Sequence, residues 1–212
     1  MSPVPLVVGV DFDNTLVSYD DLIYSVALER GLVQDDPGRS KKDIRDAIRR
    51  LDGGEIEWQR VQGVVYGRRM HEARTAEGAE AFLTCCAAHD VSVYVVSHKT
   101  RYANYDDTGT DLRAAALSWI ERQGWFGDSG LGLTRERVYF ESSRREKVER
   151  IRQLKCTHFI DDLEETFLEV GVPDGVQKIL YAPHPTETLA PAVTTVSSWD
   201  EAADVTIGSL SR

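Results

Sequence analysis

The sequence predicts an α/β fold, a parallel β-sheet core with a small helical cap inserted after the first strand. Three observations carry that expectation. Short apolar runs recur at residues 6–12, 91–97, 138–140, 158–160 and 178–181. Most are continuous rather than alternating, the pattern of strands covered on both faces. Helical patterns lie between them, and strands that alternate with helices form a parallel sheet through right-handed crossovers. The alternation fails once, between residues 18 and 74, where only helical patterns occur.

In chain order, the run at 6–12 is the first strand. Leu22, Ile23, Val26 and Ala27 then share the face of a helix ended by Gly31. Ser40-Lys41-Lys42-Asp43 reads as a capping box before Ile44, Ala47, Ile48 and Leu51. Asp52-Gly53-Gly54 breaks that helix, and Trp58, Val61 and Val65 mark a third. These helices make residues 18–74 the cap, leaving 1–17 and 75–212 as the core. A helix over 75–88 places Ala79, Phe82, Leu83 and Cys86 on one face. Asp111 caps a helix carrying Leu112, Ala115, Ala116, Trp119 and Ile120. Another, over 145–154, carries Val148, Ile151 and Leu154. A run at 193–196 and a helix from Ser198 or Asp200 finish the core.

Composition narrows the function. The 212 residues are 42% hydrophobic and 28% charged, ordinary for a globular protein. A formal net charge of -10 repels nucleic-acid backbones and anionic membranes, so neither is an expected partner. No apolar run is long enough for a transmembrane helix, and the N-terminus lacks the pattern of a signal peptide. Cys85, Cys86 and Cys156 form no CxxC pair and read as reduced cysteines. The expected location is the cytoplasm.

The chemistry concentrates at strand ends. Asp11-Phe12-Asp13-Asn14-Thr15 follows the apolar run 6–10 directly. Ligands of parallel sheets bind beyond the carboxyl ends of strands. Asp11 can attack phosphorus, and Asp13 can protonate the leaving oxygen and later take a proton from water. Crowded carboxylates raise each other's pKa unless a cation is present, and magnesium prefers such oxygen donors. A second acidic pair, Asp161-Asp162, ends the run at 158–160, with Glu165 one helical turn on. Ser97 ends the second strand, where its hydroxyl can bind a phosphoryl oxygen. Lys147 opens a helix, where its ammonium can neutralise the nucleophile and the phosphoryl group, with Arg144 and Arg145 as alternatives.

Taken in order, these residues resemble the haloacid dehalogenase superfamily, phosphatase type with a helical cap. Its DxDx[TV] strand end is matched by Asp11, Asp13 and Thr15. Its strand-end Ser or Thr is matched by Ser97, its Lys or Arg by Lys147, and its closing acidic pair by Asp161 and Asp162. The resemblance implies a Rossmann-like core with the cap at 18–74, and magnesium held by Asp11, Asp161, Asp162 and the backbone carbonyl of Asp13. It further implies hydrolysis of a small phosphomonoester through an aspartyl phosphate, because members that cleave carbon–halogen bonds lack an acid at the position of Asp13. A phosphotransferase or mutase with the same nucleophile, or a binding protein that keeps the fold without turnover, are the rival readings. The expected partner is a small phosphorylated metabolite, and the sequence leaves oligomeric state open.

The loop after Ser97 is the candidate for substrate selection. His98 and Lys99 adjoin the phosphoryl site, and Lys99 and Arg101 can offer charge to a second anionic group. Tyr102 and Tyr105 can stack on a ring or cover it. The pairs Asp20-Asp21, Asp35-Asp36 and Asp106-Asp107 read as solvated turns or helix starts. His71, His89, His158 and His184 lack ligand spacing and read as structural or surface residues.

Overall fold

A computed structural model describes residues 5–34, 40–127, 131–184, 190 and 192–208. Residues 1–4 of the N-terminal tail and the Asp35-Asp36 pair lie outside them. The first strand, β1 (Val7–Val10), is followed by the two-residue β2 (Val17–Ser18) and three helices: α1 (Asp20–Glu29), α2 (Lys41–Arg49) and α3 (Gly54–Gly63). A π-helical turn (Val64–Arg68) and a 3-10 turn (Met70–Glu72) lead to β3 (Arg74–Thr75) and α4 (Ala79–Ala88). Next come β4 (Ser92–His98), α5 (Leu112–Arg122), β5 (Val138–Glu141) and α6 (Arg144–Gln153). The chain continues through β6 (His158–Asp161), α7 (Glu164–Leu168), β7 (Gln177–Tyr181), β8 (Val193–Val196) and α8 (Trp199–Thr206).

Six strands form one sheet in the order β5-β4-β1-β6-β7-β8, and every neighbouring pair is parallel. All the apolar runs expected as strands lie in it. The order reverses at β1, which has β4 on one side and β6 on the other. Such a switch point opens a crevice at the carboxyl end of the central strand. Val8 and Val10 of β1 are buried, as are Val93, Val95, Val96, Phe159 and Ile160 on its neighbours. Helix α4 starts four residues later than its sequence pattern suggests, after Gly78 in the left-handed conformation at φ 84°.

Close packing at the middle of β1 explains why a glycine stands there. A methyl group on Gly9 would lie 2.5 Å from Cδ2 of Phe159 and 3.0 Å from Sγ of Cys156. Both neighbours are buried core side chains. Gly9→Ala is therefore expected to destabilise the chain by about 1–3 kcal/mol through overpacking. Urea denaturation checks it, and an unchanged midpoint would refute the tight-packing account.

By internal contacts the chain divides into two compact units. The first comprises residues 1–16, 75–99 and 124–212 and holds the six-stranded sheet. The second comprises 17–74 together with 100–123. Helix α5, on the core side of the sequence division at 75, thus clusters with the helices of the insertion. It packs on the π-helical and 3-10 turns. There Trp119 Nε1 donates to the Ala73 carbonyl at 3.0 Å, and Gly67 gives Thr110 and Leu112 room to approach. Ile23, Val26, Ile44, Ile48, Trp58 and Val61 fill the rest of this unit's interior. The expected caps form: Ser40 accepts from the Asp43 N–H, and Asp111 accepts from those of Arg113 and Ala114. The two-residue ladder of β2 with β3 joins the ends of the insertion. Among the described residues, no helix is long and apolar enough to cross a membrane.

Candidate active site

The site is built at the carboxyl end of β1. The Asp11 N–H donates to the Ile160 carbonyl at 2.8 Å, extending the β1–β6 ladder by one residue and fixing Asp11 at the switch point. The chain then turns. Leu16 N–H donates to the Phe12 carbonyl, and Asn14 adopts φ 61°. Asparagine tolerates this left-handed conformation better than most residues, which suits position 14 to the turn.

Two elements converge on Asp11. Lys147 lies in the first turn of α6, whose N-cap Ser143 accepts from the Glu146 N–H. Glu146 in return accepts from the Ser142 N–H at 2.9 Å, so both ends of the turn are pinned. This aims the Lys147 ammonium between Asp11 Oδ1 at 2.5 Å and Asp161 Oδ2 at 2.6 Å. Lys147 is 2% exposed, whereas the neighbouring Arg145 is on the surface. Asp161 ends β6, and its other oxygen accepts from the Leu163 N–H at 3.0 Å. Carboxylate oxygens of Asp11, Asp161 and Asp162 lie within 4.8 Å of one another.

Electrostatics follow from burial and charge. Burial pushes the Asp11 carboxyl up to about 7; the Lys147 ammonium opposes the rise, and the charges of Asp161 and Asp13 add to it. Burial works against the charge of Lys147, but Asp11 and Asp161 outweigh it and hold the ammonium above the usual lysine range. The three clustered carboxyl groups outnumber the one ammonium held between Asp11 and Asp161. An all-oxygen donor set with that excess of carboxyl groups fits a hard divalent cation such as magnesium.

Asp13 belongs to a separate pair. Both its oxygens accept from Lys99 Nζ, at 2.8 and 2.7 Å. Lys99 is only 4% exposed, so its side chain is not available in the way an exposed loop lysine would be. Ser97 is buried at the end of β4, His98 beside it is exposed, and Thr15 is buried with no hydrogen-bond partner for its hydroxyl. Arg101 and Tyr105 fall in the second unit. There Arg101 pairs with Asp111 at 2.8 Å, and Tyr105 is half exposed in a left-handed conformation. Glu165 lies in the first turn of α7 and is exposed; its neighbour Glu164, which starts α7, instead accepts from the Ala190 N–H. The pairing of Lys99 with Asp13 carries no spacing signal, since 86 residues separate the two.

No protein-family model matches the sequence, and no curated protein matches it significantly. Solved structures do. A predicted phosphatase from Clostridium acetobutylicum superposes with a TM-score of 0.59 at 15% identity, covering 97% of this chain and 100% of that one. A haloacid dehalogenase family hydrolase from Deinococcus radiodurans, with bound phosphate and sodium, gives 0.56 at 19% identity, covering 96% of each chain. The haloacid dehalogenase-type hydrolase YfnB from Bacillus subtilis, bound to magnesium, gives 0.50 at 12% identity, covering 95% and 98%. Dehalogenases are also among the matches. On this likeness over nearly its whole length, the chain has the haloacid dehalogenase-like fold.

Proposed function

We propose that the chain is a magnesium-dependent phosphatase acting on a small phosphomonoester through an aspartyl phosphate on Asp11. The observation that carries this reading is the Asp11 carboxylate at the switch point, held against Lys147 and clustered with Asp161 and Asp162. The same residues are the natural holders of the metal. When bound, magnesium would neutralise charge on the carboxylates and the phosphoryl oxygens.

In the first half-reaction an Asp11 oxygen attacks phosphorus, the ester P–O bond breaks, and the leaving oxygen takes a proton from Asp13. In the second, water attacks the acyl phosphate and gives its proton to Asp13. The bond from phosphorus to Asp11 then breaks, inorganic phosphate leaves, and Asp11 is regenerated. The Ser97 hydroxyl and the Lys147 ammonium bind the phosphoryl oxygens, with Thr15 and His98 at the periphery. An acid at position 13 favours ester hydrolysis over carbon–halogen cleavage, because an alkoxide needs a proton to leave and a halide does not. Substrate selection falls to the residues directly after Ser97, of which His98 is exposed.

The test is phosphate release from a panel of sugar phosphates, nucleotides and other phosphorylated metabolites, with magnesium and after chelation. Turnover of a subset of the panel, lost on chelation and restored by magnesium, is expected. Full activity after thorough chelation would sink the metal assignment. Release that depends on an added sugar acceptor would point to phosphoryl transfer.

A further inference from the structure

The pairing of Lys99 with Asp13 has a purpose beyond charge balance. Lys99 follows the strand-end Ser97 by two residues and stands outside the ordered set Asp11, Asp13, Ser97, Lys147, Asp161 and Asp162. Both its ends are fixed. Its backbone N–H donates to the Glu141 carbonyl at 2.9 Å, continuing the β4–β5 ladder past His98 and Glu141. Its ammonium reaches both oxygens of Asp13 and lies 5.7 Å from the centre of the Phe12 ring. A buried ammonium is costly unless it is paired, so the contact is retained only with the carboxylate in this place. Asp13 itself lies three residues beyond the end of β1.

We infer that Lys99 is a positioning residue that clamps the Asp13 carboxyl group for proton transfer to the leaving oxygen. The inference rests on the hydrolase reading. It makes a distinction that substrate binding and general structural support do not. An alkyl phosphate needs a proton on its departing oxygen, whereas p-nitrophenyl phosphate has a leaving group that departs as the anion. Loss of the clamp therefore slows formation of the aspartyl phosphate from the first substrate and spares it from the second, while the water attack common to both, which also uses Asp13, slows for both.

The experiment compares kcat and KM of wild type, Lys99→Met, Lys99→Arg, Asp13→Asn and the double variant on an alkyl phosphate and on p-nitrophenyl phosphate, with magnesium. Methionine keeps the stem and removes the charge. Lys99→Met is expected to lower kcat/KM, which reports formation of the aspartyl phosphate, about 100-fold on the alkyl ester and far less on the nitrophenyl ester. Lys99→Arg keeps the charge and recovers part of the loss. The double variant is expected to be no slower than Asp13→Asn alone, the signature of one residue acting through the other. If Lys99→Met does not fold, Lys99→Arg still reads the split, because a displaced carboxyl group lowers kcat/KM on the alkyl ester more than on the nitrophenyl ester.

Equal loss of kcat/KM on both esters, or a double variant slower by the product of the single effects, would overturn the inference. If those results come with an active wild type, the hydrolase reading stands. A wild type that cleaves neither these esters nor any panel member overturns both.

Discussion

Asp11→Asn is expected to abolish turnover while the fold survives. Asparagine keeps the shape of the side chain and removes the anionic nucleophile, so kcat should fall by at least ~10⁴-fold. The fold should tolerate the change because burial already works against the charge at this position. The same balance sets a pH dependence in the metal-free protein. Asp11 is held at about 7 in the folded chain, against an ordinary value of 3.8. Between those values the folded state keeps a proton that the unfolded state releases. Stability from this group therefore falls as pH rises from about 4 to about 7. Chemical denaturation in chelator should show that decline in the wild type and lose the Asp11 share of it in Asp11→Asn. Retained turnover would remove Asp11 from its role, and an identical pH slope in both proteins would refute the electrostatic account.

Lys147→Met should have the largest effect on stability. The ammonium is buried between Asp11 and Asp161 at 2.5 and 2.6 Å, and methionine fills much of its volume without its charge. Breaking a buried pair from one side costs about 3–5 kcal/mol, because the partner charges stay buried without compensation. For a chain of this size that is a drop in Tm of roughly 6–20 °C in chelator. Magnesium should return part of it by supplying the missing positive charge. Turnover with magnesium should still fall about 10²–10³-fold, since a donor to the transferring phosphoryl group is gone. Differential scanning fluorimetry with and without magnesium measures the first effect, and steady-state kinetics the second. A Tm unchanged in chelator would show that the triad is not held by this charge.

The sheet was legible because its strands are covered on both faces. Continuous runs such as 6–10 and 93–96 have no other comfortable location, and the acidic residues at their ends could be placed from the topology of parallel sheets alone. The meeting of Asp11, Lys147 and Asp161 was legible for the same reason, and the structure selects Lys147 from among the nearby cations. Lys99 was harder. In sequence it opens a polar stretch with Arg101, Tyr102 and Tyr105, and nothing in that composition indicates that one lysine folds inward while the others face solvent. The grouping of α5 with the insertion was hidden for a different reason. Leu112, Ala116, Trp119 and Ile120 define an apolar face, but periodicity says that a face is buried, not what it is buried against.

Because the helical unit is assembled from two segments interrupted by residues 75–99, its completion during synthesis has a schedule. Residues 17–74 leave the ribosome first but lack α5, which arrives only by residue 122. At roughly 5–20 residues per second, that wait lasts a few seconds. The central strand waits longer. β1 can take β4 on one side by residue 98, but β6, its partner on the other, begins at residue 158. A nascent chain of about 130 residues thus carries all the segments of its helical unit while β1 still has a bare edge. An unpaired edge of an apolar strand is a template for pairing with other chains. While residues 124–157 are being translated, that edge of β1 still lacks its partner strand.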